Sequence, residues 1–122
     1  MESPHKGKTG ITRLLNAFNY SCAGLREAYR NEDAFRQEMF LAAILLPLAF
    51  FLEPSAYGRV LMITCVFLVI IIELLNSAIE ATVDRISLDD HNLAKRAKDI
   101  GSAAVLISLV NLVAVWLLVL LN

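Results

Sequence analysis

The chain has 122 residues, 57% of them hydrophobic, with a mean hydropathy of +0.60 and a formal net charge of −1. A soluble domain averages about 45 to 50% apolar, so this excess argues against an ordinary water-soluble fold and for one small integral membrane domain. The charge balance excludes the broad basic face that nucleic acid requires, and two cysteines, Cys22 and Cys65, do not make a disulfide framework.

Met1 to Gly10 is polar and has no apolar core segment, which predicts a flexible N-terminus without a cleaved signal peptide. From Ile11 to about Glu32 the apolar residues Ile11, Leu14, Leu15, Phe18, Cys22, Leu25 and Tyr29 recur at steps of three and four. That spacing predicts an amphipathic helix lying on a membrane surface. Met39 to Leu52 carries no charge but is shorter than the ~20 residues a span needs. The first span is therefore placed at about 35–52, with Arg36 and Glu38 near the interface, and it ends at Glu53-Pro54. A second span runs over about 56–85, and Cys65 inside it reads as a small packing hydrophobe. The third covers about 98–121. The fold class is an all-α membrane protein of three transmembrane helices plus a surface helix, in a single domain from residue 11 onward.

One stripe stands out on the second span. Glu73, Asn76, Ser77 and Glu80 follow the i, i+3, i+4, i+7 spacing of a single helical face. An ionisable group inside a membrane segment costs roughly 2.5 to 3.5 kcal/mol on insertion scales, so two carboxylates at its edge point to function. Basic residues set their side of the membrane. Only Arg59 falls between the first two spans, whereas Lys6, Lys8, Arg13, Arg26, Arg30 and Arg36 precede them and Arg85, Lys95, Arg96 and Lys98 follow the second. The positive-inside rule then puts the N-terminus and the second loop in the cytoplasm and the C-terminus outside. With hydrocarbon beginning near Val60, Glu73 lies roughly 9 Å below the cytoplasmic boundary and Glu80 at it. A water-soluble reagent and a lipid headgroup can meet there.

Gly7-Lys8-Thr9 resembles the end of a P-loop, but the position of its first glycine is held by Glu2 and no strand precedes it. No glycine-rich cradle, zinc-spaced Cys/His set or Ser/His/Asp order exists elsewhere. Any phosphate chemistry must rest on a metal held by carboxylates with scattered Arg and Lys.

Three blocks carry a resemblance. Glu73 to Ala81 followed by Val83-Asp84-Arg85-Ile86, then Arg96-Ala97-Lys98-Asp99-Ile100-Gly101-Ser102-Ala103-Ala104-Val105, and Glu32 with Ala34-Phe35-Arg36-Gln37-Glu38, resemble the signature blocks of the prokaryotic diacylglycerol kinase family. They stand in the same order and spacing from about Arg13 to the last span. The resemblance implies a homotrimer that phosphorylates a membrane lipid alcohol with MgATP. It implies Glu73 as general base, Glu32 and Glu80 as Mg²⁺ ligands, and Arg13, Tyr20, Asp89, Asp90, His91, Lys98 and Asp99, with Glu32 and Glu80, around the nucleotide. Arg36, Gln37, Glu38, Asn76 and Ser102 fall with Glu73 at positions associated with the lipid alcohol or the reaction centre. Two local departures bear on fine contacts: Cys22 replaces a large aromatic, and Asp89-Asp90-His91 keeps the His with different neighbours.

Blander readings accompany these. For Glu73 the blander role is an inter-helix hydrogen bond, although a carboxylate that deep is more often functional; for Glu32 and Glu80 it is that of solvated interface residues. Arg26, Arg30, Lys95 and Arg96 read as topology and headgroup residues, Asn111 as an interhelical hydrogen-bonding residue, and Gly101 to Ala104 as small residues for close helix packing. The leading function is conversion of diacylglycerol to phosphatidic acid in a bacterial inner membrane. A variant uses undecaprenol, and a rival from another class is a small proton-coupled transporter. The transporter needs a site reachable from both sides near the midplane, whereas polar residues here cluster on one side. Three spans cannot enclose the stripe, so neighbouring copies are expected to cover it, and a site built between chains could draw Glu73 and Glu80 from one protomer and Glu32 from its neighbour.

Overall fold

A computed structural model of the protein describes residues 9–86 and 92–122. Of these, 94% are helical and none is in a strand. Four helices follow in chain order: α1 Gly10–Asn31, α2 Asp33–Leu52, α3 Ala56–Ile86 and α4 Asn92–Leu120. Two compact units divide the chain, one up to Asn31 and the other from Glu32 onward. In the first, α1 exposes Ile11, Leu14, Leu15, Phe18, Leu25 and Tyr29.

The second unit is built on α3, which packs against both α2 and α4. Its helix boundaries follow from local chemistry. Glu32 is extended, with φ −117° and ψ 110°, which interrupts the helical run and makes it the N-cap of α2, and Asp33 in the first turn suits the positive end of the helix dipole. Pro54 forces the residue before it out of the helical region, and Glu53 accordingly ends α2 at φ −121° and ψ 115°. Pro47 sits inside α2, where its ring removes one backbone hydrogen bond.

α2, α3 and α4 are each long and apolar enough to cross a membrane. The core between them is Ala42, Cys65, Val66, Val69 and Leu112, bordered by Leu46 and Trp116. Cys65 packs there as a small hydrophobe, its thiol donating to the Met62 carbonyl at 3.1 Å, and both cysteines are free. Large apolar residues such as Phe40, Phe51, Phe67, Ile107 and Leu118 remain exposed around the unit, which suits contact with lipid.

The 31 residues of α3 extend about 46 Å, well beyond a ~30 Å hydrocarbon core. Its length leaves room for polar turns such as those of Glu80 and Asp84 beyond the apolar zone. The start of α4 differs from the sequence expectation of residue 98. Hydropathy marks where lipid begins, whereas the helix starts at Asn92 and carries Lys95, Arg96, Lys98 and Asp99 on its polar first turns.

Candidate functional site

Helical periodicity on α3 puts Glu73, Asn76, Ser77 and Glu80 on one stripe, and packing decides how each is used. Glu73 is only 4% exposed and Asn76 8%, while Glu80 is half-buried. Asn76 Nδ2 donates to Glu80 Oε1 at 3.1 Å, an i to i+4 pair that holds the carboxylate on the stripe. Asn76 Oδ1 is buried with no hydrogen-bond partner.

α2 adds two more carboxylates. Glu32, half-buried at the N-cap, lies in electrostatic range of Glu80, Asp33 and Asp84. Burial first, then these like charges, raises its pKa above the ordinary carboxylate value. Glu73 lies in range of both Glu80 and Glu32. Glu38, six residues further along α2, is in range of Glu73 and keeps Oε2 buried without a partner. Within the chain, Glu32 feels Glu80, Glu73 feels Glu32 and Glu80, and Glu38 feels Glu73.

α4 supplies the positive charge. Lys98 Nζ contacts Asp84 Oδ1 at 2.5 Å, tying the end of α3 to α4. Asp99, the next residue, is occupied elsewhere: it accepts from Lys95 at 2.6 Å along its own helix. Arg36 pairs with Asp33 in the first turn of α2. Gln37 and Ser102 are exposed, as are Arg13 and Tyr20 on α1. Asp89, Asp90 and His91 lie outside the described residues.

The small-residue run of α4 divides. Gly101 is buried and a β-carbon there would collide with Asn76 Oδ1, whereas Ser102, Ala103 and Ala104 are exposed. Asn111 is also exposed, so within the chain it is not the buried interhelical group its position in a span suggests. Sequence reasoning gave Asp84 no role in the site and read Gly101 only as a small packing residue. Asp84 stands at i+4 from Glu80, a spacing that could have extended the stripe by one turn.

Among the described residues no three His, Cys, Asp or Glu side chains converge at metal-binding distance. A divalent cation of the Mg²⁺ type is commonly held by one or two carboxylates together with substrate phosphates. The donor set would fit that case, because Glu32 and Glu80 present carboxylate oxygens whose repulsion a cation would relieve. Lys98, paired with Asp84 and within electrostatic range of Glu80, carries a charge suited to a phosphate oxygen. The arrangement as a whole combines a buried carboxylate near an apolar surface with a charged cluster one to two turns nearer the water.

The sequence matches the family model described as prokaryotic diacylglycerol kinase over residues 19–120. A protein called diacylglycerol kinase from Pseudomonas aeruginosa is 53% identical over 120 residues, covering 98% of each chain. One of the same name from Haemophilus influenzae is 53% identical over 88% of this chain and 92% of its own. Another from Escherichia coli K12 is 51% identical over 92% of both.

Proposed function

Because the chain belongs to the prokaryotic diacylglycerol kinase family, we propose that it transfers the γ-phosphoryl group of ATP to the free hydroxyl of diacylglycerol, making phosphatidic acid. The observation that carries this reading is identity of 53% across 98% of both chains to a relative bearing that name. The name shared by these relatives favours diacylglycerol as the acceptor.

Glu73 is the general base. It is buried where a lipid hydroxyl arrives, and it takes the proton as that oxygen attacks the γ-phosphorus in line with the leaving β–γ bridging oxygen. Glu38 faces Glu73 from α2, and Arg36, Gln37, Asn76 and Ser102 are the remaining candidates for placing the acceptor. Glu32 and Glu80 would hold Mg²⁺, which when bound supplies charge neutralisation on the phosphates. Lys98 binds phosphate by leaving Asp84 for it, and Arg13, Tyr20, Asp89, Asp90, His91 and Asp99 complete the nucleotide contacts. Phosphoryl transfer needs mostly positioning and charge neutralisation with one proton acceptor, and these residue types supply both.

The site faces the cytoplasm by the distribution of Lys and Arg, with the N-terminus on that side and the C-terminus outside. The exposed apolar residues of α1 suit a helix lying at the bilayer surface. A homotrimer covers the exposed polar residues of the spans, among them Asn111. Purified protein in mixed micelles is expected to turn [γ-³²P]ATP into labelled phosphatidic acid when diacylglycerol is present, at a rate exceeding that with undecaprenol. ATP hydrolysis indifferent to both lipids would reject the kinase reading.

A further inference from the structure

We infer that Gly101 is a positioning residue for the carboxylate of Glu80, acting through Asn76: the missing β-carbon at 101 leaves the space that Asn76 Oδ1 occupies, and that seat turns Asn76 Nδ2 onto Glu80. The inference rests on the reading of Glu80 as a cation ligand and deepens it.

Three observations interlock. Gly101 is buried on α4, and the nearest atoms to a β-carbon built there are Oδ1, Cγ and Cβ of Asn76, with Cγ at 3.2 Å and Cβ at 3.9 Å. Asn76 is itself buried on α3, and its two amide ends have different fates: Nδ2 donates to Glu80 Oε1 at 3.1 Å, while Oδ1 is without a hydrogen-bond partner. A buried amide oxygen is rarely left unpartnered, so a fold that holds one over a glycine does so for the sake of what the other end of the amide does.

The alternative is a glycine that merely lets two helices approach. Such a glycine is pressed by the backbone or apolar side chains of its neighbour. Here the space is filled by one polar side chain, and the group displaced by a methyl would be that side chain. Its end is movable, so a methyl at 101 is absorbed by rotation of the amide rather than by separation of α3 from α4. The rotation carries Nδ2 away from Glu80. Hydrogen bonds to a ligating carboxylate fix its orientation, and their loss typically weakens metal binding about 10- to 100-fold.

The test is Mn²⁺ binding to the purified full-length protein in detergent, followed by electron paramagnetic resonance without nucleotide, with the Mg²⁺ half-saturation of turnover as a second readout. Gly101→Ala is expected to weaken Mn²⁺ binding about 10- to 100-fold and to raise the Mg²⁺ requirement by a similar factor. Asn76→Ser, which leaves Gly101 intact and introduces no clash, should do the same. The double variant should bind Mn²⁺ about as well as either single one, because both changes sever one link.

Native Mn²⁺ affinity in Gly101→Ala, or losses that multiply in the double variant, would overturn the inference. Should Gly101→Ala fail to fold, native affinity in Asn76→Ser would overturn it equally. Glu80→Gln separates the two levels. If it abolishes Mn²⁺ binding while Gly101→Ala and Asn76→Ser keep it, the positioning role falls and the ligand role stands. If it leaves Mn²⁺ binding untouched, both fall together.

Discussion

The two ends of the α2–α4 unit treat their polar groups in opposite ways. At the α2–α3 turn Arg59 donates through Nε to the Glu53 carbonyl at 2.6 Å and through a terminal nitrogen to the Phe50 carbonyl at 3.1 Å, with its guanidinium over the Phe50 ring. Those carbonyls belong to the end of α2, where a helix leaves acceptors unpaired, so the cation both satisfies them and meets the negative end of the dipole. Glu53 Oε1 accepts from the Ser55 N–H at 3.2 Å, and its side-chain stem lies where Gly58 leaves room. Near the opposite end, the Glu38 and Asn76 oxygens are buried without partners, and Glu32, Glu38, Glu73 and Glu80 repel one another in pairs. Internal satisfaction marks the first end as structural. Polar groups held in unfavourable surroundings suit the second end to the ligand role proposed for it.

The sharpest way to break this contrast is Glu73→Gln. The amide keeps size and hydrogen bonding but accepts no proton, so turnover should fall about 10²- to 10⁴-fold while the thermal midpoint is held or rises slightly. Phosphatidic acid formation and thermal unfolding, measured on the same preparation, check both halves. Near-native turnover would remove Glu73 from the chemistry.

Next in size is the metal dependence. Replacing Glu32 or Glu80 by Gln should raise the Mg²⁺ concentration for half-maximal turnover at least by the ~10- to 100-fold that loss of an outer-shell partner alone costs. It should not destabilise the fold, because either change removes charge from a crowded cluster. A loss of rate with an unchanged Mg²⁺ titration would make these residues structural and the two ends more alike than proposed.

How much of this was legible beforehand differs along the chain. Glu53-Pro54 and the charge-free runs fixed the spans because helix breaking and hydropathy are local properties. The stripe from Glu73 to Glu80 was readable for the same reason, since its spacing lies within one helix. The Asp84–Lys98 pair and the seat of Asn76 on Gly101 were not, because each depends on the register of α4 against α3. Glu38 was assigned to the lipid side from resemblance, and its facing of Glu73 came from α2–α3 packing. α4 began earlier than hydropathy suggested because its charged first turns are helical without being apolar.

At the satisfied end the sign of the effects should reverse, with stability lost and turnover per folded molecule kept. Arg59→Met retains the apolar stem and removes the donors, leaving two helix-end carbonyls without their charged partner. Hydrogen bonds to charged groups are worth about 1.5 to 3 kcal/mol, so a loss of about 2 kcal/mol in reversible unfolding is expected. The maximal rate and Mg²⁺ half-saturation of the surviving enzyme should match the native protein. A changed Mg²⁺ titration in this variant would mean that the two ends are energetically coupled through α3.

The smallest expected effect lies at Trp116, whose indole Nε1 donates to the Met62 carbonyl at 3.1 Å across the α3–α4 contact. Trp116→Phe removes the donor and some ring area from a half-buried position. The carbonyl it leaves is not orphaned, because the Cys65 thiol also reaches it at 3.1 Å and it belongs to a continuous helix. Only the net value of one neutral hydrogen bond is then at stake, about 0.5 to 1.5 kcal/mol, instead of the larger penalty for a buried acceptor left alone. Unfolding measured beside Trp116→Phe combined with Cys65→Ala separates these cases. The second substitution takes away the remaining side-chain donor, so the pair should cost more than the sum of the single changes if the shared carbonyl is what matters. Strict additivity would instead assign the Trp116 effect to lost packing.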